Sequence, residues 1–175
     1  MNPAPTLLTR VARLALGVAL LAGAGLASAD VTVTFVKPEN FTDTGRFESI
    51  RTEDDNLKLI ADALRERGAK VLAPGQDLKI EVTDVDLAGE VRPVGPRMEM
   101  IRIVKPVYRP ALDLRYTITE HGREVRHGEG HLSDINFMDR YNRYFDSEPM
   151  RYEKQMMDDW FAKEFVPVNT ASNAK

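Results

Sequence analysis

The sequence contains no cysteine among its 175 residues. Disulfide bonds, thiol catalysis, cysteine-ligated zinc or iron–sulfur sites and lipid attachment at a cysteine are therefore excluded. Stability must come from a hydrophobic core, and an apolar content of 43% is ordinary for a single domain of this length.

An excess of positive charge is also missing, because the net charge is −3. This balance argues against nucleic acid as a partner. Phosphate-binding and dinucleotide-binding fingerprints are absent as well, and the serines at 49, 133 and 147 lie in no glycine-flanked nucleophile elbow. We therefore predict no cofactor. The absence of a strong catalytic motif favours a protein that is not an enzyme.

The first 29 residues have the pattern of a cleavable signal peptide. Arg10 and Arg13 form a positive start, an apolar run follows over 14–27, and Ala27-Ser28-Ala29 offers the small residues that a signal peptidase reads. The run is shorter than the ~20 residues of a membrane-spanning helix, and three glycines interrupt it. We therefore expect export to the periplasm or beyond, as a soluble protein that is neither a lipoprotein nor anchored in the membrane after cleavage.

The rest of the chain is predicted to form one α+β domain over 30–166, with a flexible tail over 167–175. Alternation predicts a strand over Val31–Val36, which could join the sheet centrally, and then a loop pinned by apolar side chains at 41, 47 and 50. Thr52 is the expected N-cap of a helix that should stop at Gly68.

A strand is predicted around Leu78–Val82, with a bulge near Asp84 where the apolar alternation slips. A loop over 89–97, a strand over 98–104 and a hairpin that turns at His121 should follow. Pro149 is the expected first residue of a last helix, whose stripe at 156, 157, 160, 161 and 165 should cover the sheet. The fold class is a two-layer α+β domain, with a mainly antiparallel sheet and its helices on one face.

Several separated segments carry a family resemblance. They are 31–41, Thr83 to Glu90, the Gly128-Glu129 pair with Leu132 and Asp134, and Tyr152-Glu153-Lys154 with Trp160-Phe161. Together they resemble the exported bacterial proteins of domain-of-unknown-function family 3016. The resemblance implies an exported protein and implies no reaction and no catalytic residue.

A locally basic segment in the middle of the chain is the first candidate site. Its ligand-binding candidates are Arg92, Arg97, Arg102 and Arg109, which could bind an anionic ligand or an acidic partner. The alternative is pairing of these arginines with nearby acidic residues inside the protein.

A metal site is the second candidate. His127, Glu129 and His131 alternate on a predicted strand and so share one face, and two imidazoles with a carboxylate suit zinc. The alternative is a polar stripe that faces solvent.

Three functional hypotheses follow. The first is a non-enzymatic binding or interaction module of the cell envelope, which takes an envelope protein or an anionic ligand. The second is a metal-dependent hydrolase built on His127, Glu129 and His131. The third is a structural envelope protein.

Overall fold

The computed structural model describes residues 30–165, so the predicted signal peptide and the predicted tail lie outside the described residues. In chain order the elements are β1 (Val31–Phe35), a short 3₁₀ turn (Pro38–Asn40), α1 (Glu53–Val71), β2 (Gln76–Asp86), β3 (Glu90–Val94), β4 (Glu99–Ile103), β5 (Ala111–Glu120), β6 (Arg123–Ser133) and α2 (Arg151–Glu164). None of the described helices has the length and apolar content that crossing a membrane requires.

The main sheet has four strands in the order β1-β2-β5-β6, and both helices lie on one of its faces. β1 runs parallel to β2, whereas the β2–β5 and β5–β6 pairs are antiparallel. The predicted fold class is confirmed. The central placement of β1 was wrong, because β2 pairs with β5 on its other side and leaves β1 at the edge.

The core consists of the inward-facing residues of each strand and the apolar stripes of the helices. Leu78, Ile80 and Val82 are buried on β2, and the predicted bulge follows between Val82 and Asp84. The opposite face of the sheet is polar and includes the exposed Thr32, Lys79, Arg115 and His127. The sheet therefore buries one face only, as antiparallel sheets commonly do.

Helix α1 begins as predicted. The Thr52 hydroxyl accepts the Asp55 N–H at 3.1 Å, and the Asp55 side chain accepts the Thr52 N–H in return, which completes a capping box. The predicted stop at Gly68 was wrong, because the helix continues to Val71. Gly68 instead permits close packing, since a Cβ there would lie 2.9 Å from Leu78 Cδ2.

Helix α2 lies over the last two strands. Met156, Met157 and Phe161 are buried, and the partly exposed Trp160 and Phe165 pack against the same core. The glycine pattern of β6 makes room for this helix, because a Cβ at residue 130 would lie 2.9 Å from the indole ring. The predicted contact of the apolar stripe with the sheet is confirmed.

Three smaller predictions were wrong. Residues 89–97 are not all loop, since β3 pairs with β4 and Pro93 is tolerated in a two-stranded hairpin that needs few donors. Phe41 is buried, but Phe47 and Ile50 are both 72% exposed. Helix α2 starts at Arg151, not at Pro149, because Met150 takes a left-handed conformation with φ of 56°.

Candidate functional site

A cavity of about 270 Å³ lies where β4, the loop before α1 and the start of α2 meet. Its wall combines apolar side chains with charged and polar ones, and the latter include Glu48, Arg51, Arg102, Ser147, Arg151, Tyr152 and Glu153. Such a mixture of an apolar wall and a few polar groups is typical of small-molecule sites.

Arg102 is the most firmly held cation of the cavity. It projects from β4, and its guanidinium forms a bidentate pair with Asp43, through Nη1 to Oδ2 at 2.9 Å and Nη2 to Oδ1 at 3.1 Å. Its Nε donates to Glu48 Oε2 at 3.3 Å. Two carboxylates therefore neutralise this one guanidinium, and its main role is to join the loop before α1 to β4.

Glu153 is a carboxyl group buried in the first turn of α2. One of its oxygens accepts the backbone N–H of Ala88 at 2.8 Å, which ties α2 to the end of β2. Burial raises the pKa of Glu153 above its ordinary value, although that N–H and the nearby Arg102 oppose the shift. A buried carboxyl that keeps its proton to a higher pH than usual is a common feature of functional sites.

The charged neighbours of Arg51 differ from those of Arg102. It directly precedes the capping box of α1, and its Nη1 donates to the amide oxygen of the buried Asn56 at 3.3 Å. Asn56 is fixed in turn, since its Nδ2 donates to the Thr44 carbonyl oxygen at 2.9 Å. Within 30–165 the Arg51 guanidinium forms no ion pair.

The start of α2 adds further hydrogen-bond donors. Arg151 Nη2 donates to the Tyr152 hydroxyl oxygen at 2.7 Å, and its Nη1 pairs with the exposed carboxylate of Asp146. No acceptor for the Tyr152 hydroxyl proton is found in the part of the chain that the structure describes. Met150, the N-cap, makes no side-chain cap hydrogen bond, and in the first turn the Glu153 carboxyl accepts its own backbone N–H.

The four arginines predicted from local charge density do not come together. Arg102 lines the cavity, whereas Arg92 pairs with Glu90 on β3, and the side chain of Arg97 is 88% exposed. Arg109 donates to the Ser133 hydroxyl at 3.0 Å, beside the end of β6. Their joint role as a ligand site stays a prediction.

The cavity residues that the sequence did not reveal are Arg51, Arg151 and Glu153. Arg51 carried one local signal, its position just before a strong helix N-cap. The first turn of α2 was singled out only through the family resemblance at Tyr152-Glu153-Lys154, which implies no role for these residues.

The structure places His127, Glu129 and His131 on the open face of β6, as the alternation predicts. His127 Nδ1 lies 2.7 Å from Glu124 Oε1, and the His131 ring contacts Asp113 on β5. Each imidazole thus has its own carboxylate neighbour. Within residues 30–165 no group of three or more metal-ligating side chains converges. The role of these three residues in metal binding stays a prediction.

A second polar cluster joins α1 to the middle of α2. Arg67, which is 6% exposed, donates through Nε to Asp158 Oδ1 at 2.5 Å and through Nη1 to the Ala63 carbonyl at 2.9 Å. Its Nη2 contacts the Tyr144 hydroxyl, which donates to Asp158 Oδ2 at 2.7 Å. Burial, reinforced by this hydrogen bond to Asp158, raises the pKa of Tyr144 to about 12.

The architecture is that of a two-layer α+β domain with a mixed polar and apolar cavity at the start of α2. In a comparison with protein families, the family described as "Protein of unknown function (DUF3016)" matches residues 29–163. The chain belongs to this family, and the resemblance predicted from the sequence is confirmed. Searches of the curated proteins and of the solved structures returned no match.

Proposed function

We propose that this chain is an exported, non-enzymatic binding module of the cell envelope, and that its ligand site is the cavity at the start of α2. The proposal is carried by the position of Arg51, which lines the cavity and has no ion pair in the described part of the chain. The one hydrogen bond of its guanidinium there is to the amide oxygen of Asn56. A charged group that is positioned in this way is ready for a ligand that is not part of the chain.

Binding is favoured over catalysis by the chemistry of the lining. No histidine lines the cavity, and Ser147 therefore has no neighbouring imidazole there to activate its hydroxyl. The alternatives of a metal-dependent hydrolase and of a structural envelope protein gain no comparable observation.

The export half of the proposal rests on the sequence pattern of residues 1–29. Cell fractionation followed by intact mass measurement tests it, and the exported protein should start at Asp30. A full-length mass in the soluble envelope fraction would contradict cleavage.

Site-specific photo-crosslinking in living cells tests the binding half. A photoreactive amino acid at Ser147, on the cavity lining, should give a defined small-molecule adduct by mass spectrometry. The matched control replaces Thr32, which is exposed on the open face of the sheet, and should give none. Equal labelling at both positions, or none at Ser147, would contradict a ligand site in the cavity.

A further inference from the structure

We propose that the cavity at the start of α2 binds the carboxylate group of a small organic acid, with Arg51 as its main contact. This inference rests on the proposed binding function and names the class of ligand. It follows from the hydrogen-bonding groups that the cavity leaves unused, from its charge and from its apolar wall.

Several hydrogen-bond donors of the cavity wall have no acceptor in the described part of the chain. Arg51 uses one guanidinium nitrogen, Nη1, for Asn56, and its remaining N–H groups have no acceptor in the described part of the chain. The Tyr152 hydroxyl accepts from Arg151, which leaves its proton free to donate. The N-cap Met150 makes no side-chain cap hydrogen bond, so the first N–H groups of α2 have no acceptor from that residue. A ligand that complements this wall must bring acceptor atoms.

The cavity wall holds four acidic side chains and three arginines, and its ion pairs within the described part of the chain leave one cation unmatched. Glu48 pairs with Arg102, Asp146 with Arg151 and Glu148 with Lys154, whereas Glu153 is buried. Among its three arginines, Arg102 faces two carboxylates and Arg151 faces one. Within residues 30–165 Arg51 is therefore the one cavity arginine without a carboxylate at ion-pair distance, although its charge acts to lower the pKa of Glu153 and of Asp55. A carboxylate matches one guanidinium in charge and in its two-oxygen geometry, whereas a phosphate dianion would need a second unpaired cation.

The positive end of the α2 dipole supports the same sign of ligand, because α2 begins at the cavity wall. The first turn of α1 carries Glu53, Asp54 and Asp55, which already offset the dipole of that helix. An anion near a helix N-terminus is stabilised by the partial positive charge of the unpaired N–H groups. Burial raises the pKa of Glu153, so this carboxyl opposes an anion less than an exposed carboxylate would.

The remainder of the ligand should be small and partly apolar. The volume of about 270 Å³ is near the lower limit of ligand pockets, and Leu87, Val104 and Pro149 supply apolar wall. Benzoate, which joins one carboxylate to a compact apolar ring, is therefore a suitable probe.

The experiment is a titration of the exported protein with benzoate, followed by ¹H–¹⁵N NMR. Benzamide is the neutral probe of the same shape, and inorganic phosphate is the other oxyanion. We expect saturable shifts around the cavity with benzoate, and binding that is about tenfold or more weaker for benzamide, because a charge-assisted hydrogen bond is lost. Phosphate should also bind more weakly than benzoate.

Two variants identify the residue responsible. Arg51→Gln should weaken benzoate binding about tenfold or more. Arg97→Gln makes the same change of charge on an exposed side chain away from the cavity, and should bind like the wild-type protein. Equal affinity for benzoate and benzamide, no effect of Arg51→Gln, or no saturable benzoate shifts would overturn the proposal.

The crosslinking at Ser147 separates the two proposals. If Ser147 captures a small molecule while benzoate fails to bind, the cavity is a ligand site and the carboxylate class is wrong. If Ser147 captures nothing as well, the binding function itself is contradicted.

Discussion

Two polar clusters involve α2, and they differ in how completely the hydrogen-bonding capacity of their arginines is used. Arg67 is almost fully buried and contacts a carboxylate, a phenol and two backbone carbonyls. Arg51 faces a cavity and has one amide acceptor in the described part of the chain. Both side chains carry the same charge and lie close to the ends of the same helix, α1.

The difference separates a structural arginine from one that is available to a ligand. A buried cation whose donors are matched from within the protein stabilises the contact between α1 and α2. Removing it leaves an uncompensated carboxylate. A cation that keeps its donors free contributes little to folding and can contribute more to binding.

The largest expected effect is that of Arg67→Met. The substitution leaves the half-buried carboxylate of Asp158 without its cationic partner and removes the contact of Arg67 with the Tyr144 hydroxyl. The free energy of unfolding should therefore fall by about 3–5 kcal/mol. Urea denaturation measures the loss. Arg65→Met on the same helix is the matched control, since its side chain is 45% exposed and its ion pair with Asp62 is weak. Equal stability losses for the two variants would remove the distinction on which the comparison depends.

Tyr144→Phe should have the next largest effect. It removes the hydroxyl group that links Arg67 to Asp158, and a hydrogen bond to a charged group contributes about 1.5–3 kcal/mol. The pKa of Tyr144 is raised from 10 to about 12, so the protonated phenol stabilises the fold fully below pH 10, and this contribution is lost as the pH rises through about 12. The wild-type protein should therefore lose stability over that alkaline range more steeply than the variant. Thermal melting of the two proteins across this pH range measures the difference. The same dependence of melting temperature on pH for both would show that Tyr144 is not in this network.

Glu153→Gln tests the carboxyl group of the cavity. The raised pKa of Glu153 means that its contribution to stability is present below its ordinary pKa of 4.5 and is lost as the pH rises through the higher value of the folded state. Gln cannot lose this contribution, and its amide oxygen can still accept the Ala88 N–H. The variant should therefore be at least as stable as the wild-type protein at pH 7 and should show a flatter dependence above pH 4.5. A clear loss of stability at pH 7 would mean that the ionised carboxylate is the stabilising form.

The smallest effect on stability is expected for Arg51→Gln. Its guanidinium has no ion pair in the described part of the chain, and a partly exposed side chain of this kind usually changes stability by less than about 0.5 kcal/mol. Chemical denaturation without added ligand measures it. A loss comparable to that of Arg67→Met would show that Arg51 is structural.

Much of the fold could be predicted because local rules and tertiary packing agree. The N-cap at Thr52 and the strand around Leu78–Val82 were both predicted correctly from the sequence. The prediction that α1 stops at Gly68 failed because a glycine near a helix end can either end the helix or permit close packing. The structure selects close packing against Leu78, which no local pattern contains.

The cavity could be predicted only in small part. Arg51, Arg102 and Glu153 follow one another at intervals of about fifty residues, and only the packed tertiary structure brings them to one wall. Local basic density identified Arg102 together with three arginines that lie elsewhere. Which arginine is left without an internal carboxylate depends on contacts such as Asp43 with Arg102, and these do not appear in any local pattern.

The most direct test follows the side-chain Nε–Hε resonances of Arg51 and Arg67 in a single ¹H–¹⁵N spectrum while benzoate is added. Arg67 Nε is already bonded to Asp158, and its resonance should stay in place and exchange slowly with solvent. The Arg51 resonance should move and saturate with the same affinity as the backbone signals of the cavity. An unchanged Arg51 resonance, or equal movement of both, would contradict the account.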